Sequence, residues 1–274
     1  MLAAYLDESG IHDGAELCVI AGYFGGTGQW KRFDADWRNL LRNAAVPLKE
    51  FHAKDLLNRG GFFCRSQWND KQHSRFLDDI ADVICRYKIY PISHGVVVED
   101  FNQFNHAQRR LFTGAVLNNG KLITSGSPNK PYFMPFQHCV KRIASYAPVG
   151  GRVDFYFGLN KPFAEFTTAL WETLKSDWLL PPYRDQLGNV SFPLASETPQ
   201  LQAADFLVHS VYKDMLYLKH NRSFGKESPP PLLAKCLRRL QGGVKDFCYF
   251  DSATMKDLLC QTYERQGRNW DELE

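Results

Sequence analysis

Met1-Leu2-Ala3-Ala4-Tyr5-Leu6-Asp7-Glu8-Ser9-Gly10 is an apolar run of strand length that ends on two adjacent carboxylates and is broken by Ser-Gly. The apolar residues ahead of the acids mark a central strand, which sets Asp7 at the edge of the core. A carboxylate in that position is costly unless something pairs with it. A divalent cation is one such partner and a structural salt bridge is another; this segment alone leaves both open.

Leu17 to Phe24 reads as a second strand, joined to the first by turn material from Ile11 to Glu16 that contains Asp13-Gly14, a hairpin signal. Trp30, Phe33, Trp37, Leu40 and Leu41 then recur at helical spacing across Gln29–Arg42. A connector, Val46–Leu57, carries Glu50-Phe51-His52-Ala53-Lys54-Asp55-Leu56. Ser66 or Asn69 caps a helix from Asp70 to Tyr87, and Ile89–Val98 is a strand. Asp100–Leu117 and Phe133–Tyr146 read as helices, with a loop around Thr124–Pro131 between them. Arg152–Gly158 is a strand and Phe163–Leu180 a helix stopped by Pro181-Pro182. Val190–Ala195 is a short strand placed at an edge by Pro193. Pro199–Lys219 is a strong helix. Past the prolines at 229–231, two modest helices are expected.

An early hairpin followed by strands alternating with helices predicts an α/β fold, a mixed sheet with helices on its faces. The division expected is a main domain over residues 1–219 and a C-terminal helical extension over 220–274 that packs on it. The 274 residues are 44% hydrophobic and 14% aromatic, enough for a large core. A net charge of +3 marks neither a strongly basic nucleic-acid coat protein nor the absence of a local basic channel. The apolar start lacks a basic leader region and no apolar run is long enough to cross a membrane, so a cytoplasmic protein with no membrane partner is expected. Seven scattered cysteines without a CxxC pair read as reduced thiols and exclude a cysteine-based zinc site. Walker and nucleophile-elbow motifs are absent.

Three segments carry residues suited to chemistry. Asp7 and Glu8 end the first strand, with Ser9 beside them. Glu50 and His52, two apart in an extended segment, would share one face while Phe51 turns into the core; carboxylate plus imidazole suits metal ligation or a base with its orienter, and a solvated loop around one buried Phe is the plainer reading. In Leu201-Gln202-Ala203-Ala204-Asp205-Phe206-Leu207, Gln202 and Asp205 stand on one helical face, among alanines small enough to let a helix approach a sheet. Asp205 either pairs with His209, one turn on, or is aimed at the strand-borne Asp7.

Tyr5–Gly10, Glu50–Leu56 and Gln202–Asp205, in that order, resemble the bacterial domain-of-unknown-function family 3800, over roughly Met1 to Lys219. The resemblance implies a ribonuclease H-like fold and a nuclease-type centre. Catalysis would fall to Asp7, Glu50, His52 and Asp205. Mg2+ or Mn2+ would sit on Asp7, Asp205 and Glu50, with Glu8, Ser9, Gln202 and Asn160 in support. It implies a metal-dependent phosphodiester hydrolase acting on RNA or DNA, in phage defence or as a toxin. A catalytically degraded binding module and a hydrolase of small phosphoesters are the alternatives. Self-association through the C-terminal segment stays open.

One departure bears on the centre. Such families often carry an acid at the end of a middle strand, where this chain has Gly158. Asp154 shares the strand face of Gly158 but lies about 13 Å away at strand rise. Asn160 and Glu165 are the nearest substitutes.

Overall fold

The computed structural model describes residues 1–113, 115–118, 121–124, 130–159, 161–176, 184–220 and 246–265. β1 (Leu2–Ser9) and β2 (Leu17–Gly26) form the expected antiparallel hairpin. Gly10 makes the turn possible: its φ is +76°, and a Cβ there would lie 1.9 Å from the Leu17 carbonyl oxygen. β3 (Ile89–Val97) continues the meander on the far side of β2. β6 (Val153–Phe157) lies parallel to β1 on its other side, and β7 (Leu187–Ser191) lies parallel to β6. β8 (Asp246–Phe250) closes the opposite edge, parallel to β3. The result is a six-stranded mixed sheet in the order β7-β6-β1-β2-β3-β8. A two-stranded hairpin, β4 (Ala115–Asn118) and β5 (Lys121–Thr124), stands apart from it.

Strand alternation divides the core in two. Ala3, Val19, Ala21 and Tyr23 face α1 (Thr27–Asn43), α3 (Asp70–Cys85) and α8 (Pro199–His220). Ala4, Leu6, Cys18 and Ile20 face α6 (Phe133–Ala144) and α7 (Lys161–Ser176). On α1 the buried residues are Trp30, Phe33, Trp37 and Leu41, the stripe expected from spacing with Leu40 at its margin. The Trp30 indole donates to the Ala3 carbonyl at 2.9 Å and fixes α1 on β1. Asn69, of the two caps considered for α3, closes a capping box with Gln72. Asp7 lies on the α8 face and Glu8 on the other, as period-two alternation requires.

Three stretches depart from expectation. Asp100–Leu117 is not one helix: α4 (Val98–Asn102) and α5 (His106–Phe112) are separate, and β4 begins at Ala115. Asn105 divides the two, because its side chain accepts from the Gln108 amide and starts a second helix with a capping box. The edge strand lies at Leu187–Ser191 rather than around Pro193, which has no amide to give the ladder. Beyond residue 219, where only helices were expected, β8 enters the main sheet before α9 (Ser252–Arg265). No described helix is long and apolar enough to cross a membrane.

Candidate active site at the carboxyl end of the first strand

β1 delivers Asp7 to the point where its own pairing with β6 ends, at Leu6 opposite Phe157. The next residue of that strand's path, Gly158, donates its amide to the Leu6 carbonyl at 3.3 Å. Asp7 is half-buried. Burial, then the neighbouring Glu8 carboxylate, then Asp205 push its carboxyl well above the usual carboxylate range, against a donated Glu8 backbone amide. Ser9 beside them is buried. Three rings pack together on this face: Tyr5 stacks on Tyr156 with centroids 4.6 Å apart and meets Trp30 edge-on at 4.8 Å.

α8 crosses β1 and β2. Ala203 and Ala204 are fully buried, the close approach their size permits. Gln202, also buried, accepts from the Trp37 indole at 2.8 Å and donates to the Leu48 carbonyl at 2.7 Å. One turn further, Asp205 Oδ2 accepts from the Ala53 amide at 2.9 Å. That amide opens α2 (Ala53–Asn58), whose own N-cap residue, His52, supplies no side-chain bond. Gln202 and Asp205 therefore clamp the 48–53 connector at both ends. Between the clamps, Phe51 is buried while Glu50 and His52 are exposed, as expected. Glu50 differs in backbone only, ending a short 3-10 turn at Leu48–Glu50 rather than lying in a fully extended segment.

Asp205 Oδ1 lies 3.3 Å from His209 Nε2. Burial raises the Asp205 carboxyl, while His209, the Ala53 amide and His52 oppose the rise and Asp55 adds to it. Burial correspondingly lowers His209, with Asp205 pulling the other way and Lys213 and Lys54 adding to the fall. Asp205 thus has the plainer partner that the sequence allowed for, the His209 imidazole, and caps α2 as well, which the sequence reading did not foresee. Each carboxylate oxygen still keeps a lone-pair site beyond these bonds.

The structure brings Asp7 within electrostatic reach of Glu8 and of Asp205, and His52 within reach of Asp205. Among the described residues, no three His, Cys, Asp or Glu side chains stand grouped as a ready metal site. Asp154 is engaged elsewhere, accepting from the Asn189 amide at 2.9 Å where β6 meets β7. Asn160 and the side chain of Glu165 lie outside the described residues. Lys54 and Lys213 were not singled out from sequence. The signal for Lys213 was its place two turns beyond Asp205 on the same face of α8.

A scan against protein-family models finds no match for this chain, and a search of curated proteins finds none either.

Proposed function

We propose that the chain is a metal-dependent phosphodiester hydrolase with a ribonuclease H-like fold, acting on RNA or DNA. The observation that carries this reading is a pair of partly buried carboxylates, Asp7 at the end of a central strand and Asp205 on the helix packed over that strand, each raised by burial. Like charges in a half-buried site favour a cation between them. The donor set is all oxygen, with imidazoles nearby, which suits Mg2+ or Mn2+ better than a soft metal. The strand order also supports the fold: a central first strand with an antiparallel meander on one side and parallel strands on the other. The resemblance of the three ordered motifs to family 3800 points the same way.

Asp7 and Asp205 would hold the ion, with Glu50 or His52 reaching in from the clamped connector. A bound ion would supply a more nucleophilic water and offset charge on the phosphate. The chain's own groups do the rest. The Gln202 and Asp205 clamps keep the connector against the site. Lys54 and Lys213, close enough to act on His209, provide positive charge for an anionic backbone.

Gly158, standing where a strand-end acid was expected, favours a second reading, a binding-only member of the same fold. One experiment separates the two. Mn2+ is titrated calorimetrically into wild type, Asp7→Asn and Asp205→Asn, and each protein is then incubated with single-stranded and duplex RNA and DNA. Saturable Mn2+ binding lost in both variants, with cleavage by wild type alone, supports the hydrolase. Nucleic-acid binding with neither Mn2+ uptake nor cleavage supports the binding module.

A further inference from the structure

Gly158 occupies the place where an acid was expected, and its surroundings explain why no side chain stands there. A Cβ built on Gly158 would lie 2.6 Å from Asp7 Oδ1 and 3.4 Å from Asp7 Cγ. Real Cβ atoms essentially never come so close to a neighbour, so any residue larger than glycine forces the Asp7 carboxylate to move. The backbone at Gly158 is not the constraint, because it is not among the glycines held at positive φ. The constraint is space, and the Asp7 carboxylate fills it.

Gly158 is itself buried, so the contact lies inside the protein and not on a free rim. It is also held in place: its amide is bonded to Leu6, the residue before Asp7, and Leu159 is bonded to Pro193 at 3.2 Å. The strand end cannot easily withdraw to make room. The side chain that yields is the short one facing it.

We infer that Gly158 is a positioning residue for Asp7: its missing side chain is the cradle that lets the β1 carboxylate lean across the end of β6. In this arrangement the carboxylate expected on the middle strand is replaced by space for one from the first strand. The role of that placement in holding a cation rests on the function proposed above; the placement itself does not.

The test is a double-mutant cycle on the full chain, read by thermal unfolding in the absence of divalent metal and then by Mn2+ titration. Gly158→Ala in the wild-type background is expected to lower Tm on the order of 5 °C. In an Asp7→Ala background the added methyl enters vacated space, and the drop should shrink to under about 2 °C. Mn2+ affinity should fall about tenfold or more in Gly158→Ala. Equal Tm changes in both backgrounds, or a Gly158→Ala protein with unchanged Tm and unchanged Mn2+ affinity, overturn the assignment. Coupling between the two sites in a protein that takes up no Mn2+ at all keeps the assignment and removes the metal reading. Should Gly158→Ala not fold, refolding on adding Asp7→Ala supports the cradle, and failure to refold counts against it.

Discussion

Asp7 and His94 both sit in inner strands of the same sheet, and burial pushes each toward its neutral form, yet their surroundings differ. Asp7 lies at the open end of β1, half-buried, with a second carboxylate beside it and a third on α8. His94 lies mid-strand in β3, 5% exposed, on the opposite face. Its ring meets His138 at 6.0 Å and Phe250 at 6.1 Å, and its Nδ1 has no hydrogen-bond partner among the described residues. Asp246 and Arg142 act on His94 by charge, and Lys141 acts on His138. The imidazoles can shed their charge at neutral pH and behave as core. Clustered carboxylates cannot do so as cheaply, and a site that keeps them needs a reason beyond packing.

The contrast has a sign that titration can check. Burial lowers His94 to about 4 and His138 to about 3. A base depressed in the folded state leaves stability intact above its unfolded pKa, about 6.5. Stability is then lost as pH falls toward the folded value, because only the unfolded chain takes up the proton. The acid Asp7 is raised instead, so its ionised form is a burden near pH 7 that eases as pH falls. The two regions therefore pull the stability curve in opposite directions below neutrality.

The largest effect is expected at Asp7. Asp7→Asn should lower cleavage at least about a hundredfold, while Tm at pH 7 stays level or rises because one clustered charge is gone. A variant that cleaves like wild type would end the catalytic assignment, and one that unfolds would make Asp7 as structural as His94. Next comes Gln202→Ala, which strands the Trp37 indole and the Leu48 carbonyl. It should cost about 2–4 kcal/mol, seen as a lower midpoint in denaturant unfolding with an unchanged slope. A shift under about 1 kcal/mol would show that the connector is held by other means. Third, between pH 6.5 and 4 the His94 and His138 pair should each remove up to about 1.4 kcal/mol of stability per pH unit. The double variant His94→Leu, His138→Leu should flatten that slope, and an unaltered slope would place the acid sensitivity elsewhere.

What could be read from sequence and what could not divides along similar lines. The hairpin, α1, α3 and α8 were legible because burial patterns repeat at the period of each element. Phe51 turned inward between two exposed neighbours for the same reason. Asp100–Leu117 was misread as one helix because the local feature that divides it, the Asn105 capping box, went unrecognised. β8 was missed because its pairing with β3 is a relation between distant segments. The candidate acids were legible as acids at the ends of apolar runs. Their partners were not. That Asp205 caps α2 through the Ala53 amide, that Asp154 is taken by the Asn189 amide, and that Gly158 makes room for Asp7 are all contacts through space.

The smallest effect separates most sharply a carboxylate kept for structure from one kept for chemistry. Asp205 has a neighbour at each oxygen: Oδ2 accepts from the Ala53 amide, and Oδ1 faces His209 Nε2 at 3.3 Å. Asp205→Asn retains an oxygen that can accept from Ala53 and loses only the charge that faces His209. Burial opposes that charge, and the exposed edge of the His209 contact, 25% for the imidazole, screens what the pair contributes. The net change in stability at pH 7 should therefore stay within about 1 kcal/mol, while Mn2+ binding disappears. A loss of about 3 kcal/mol or more with Mn2+ binding intact would reverse the reading. Asp205 would then be a buried ion-pair partner, and the comparison with the histidine core would become one of likeness.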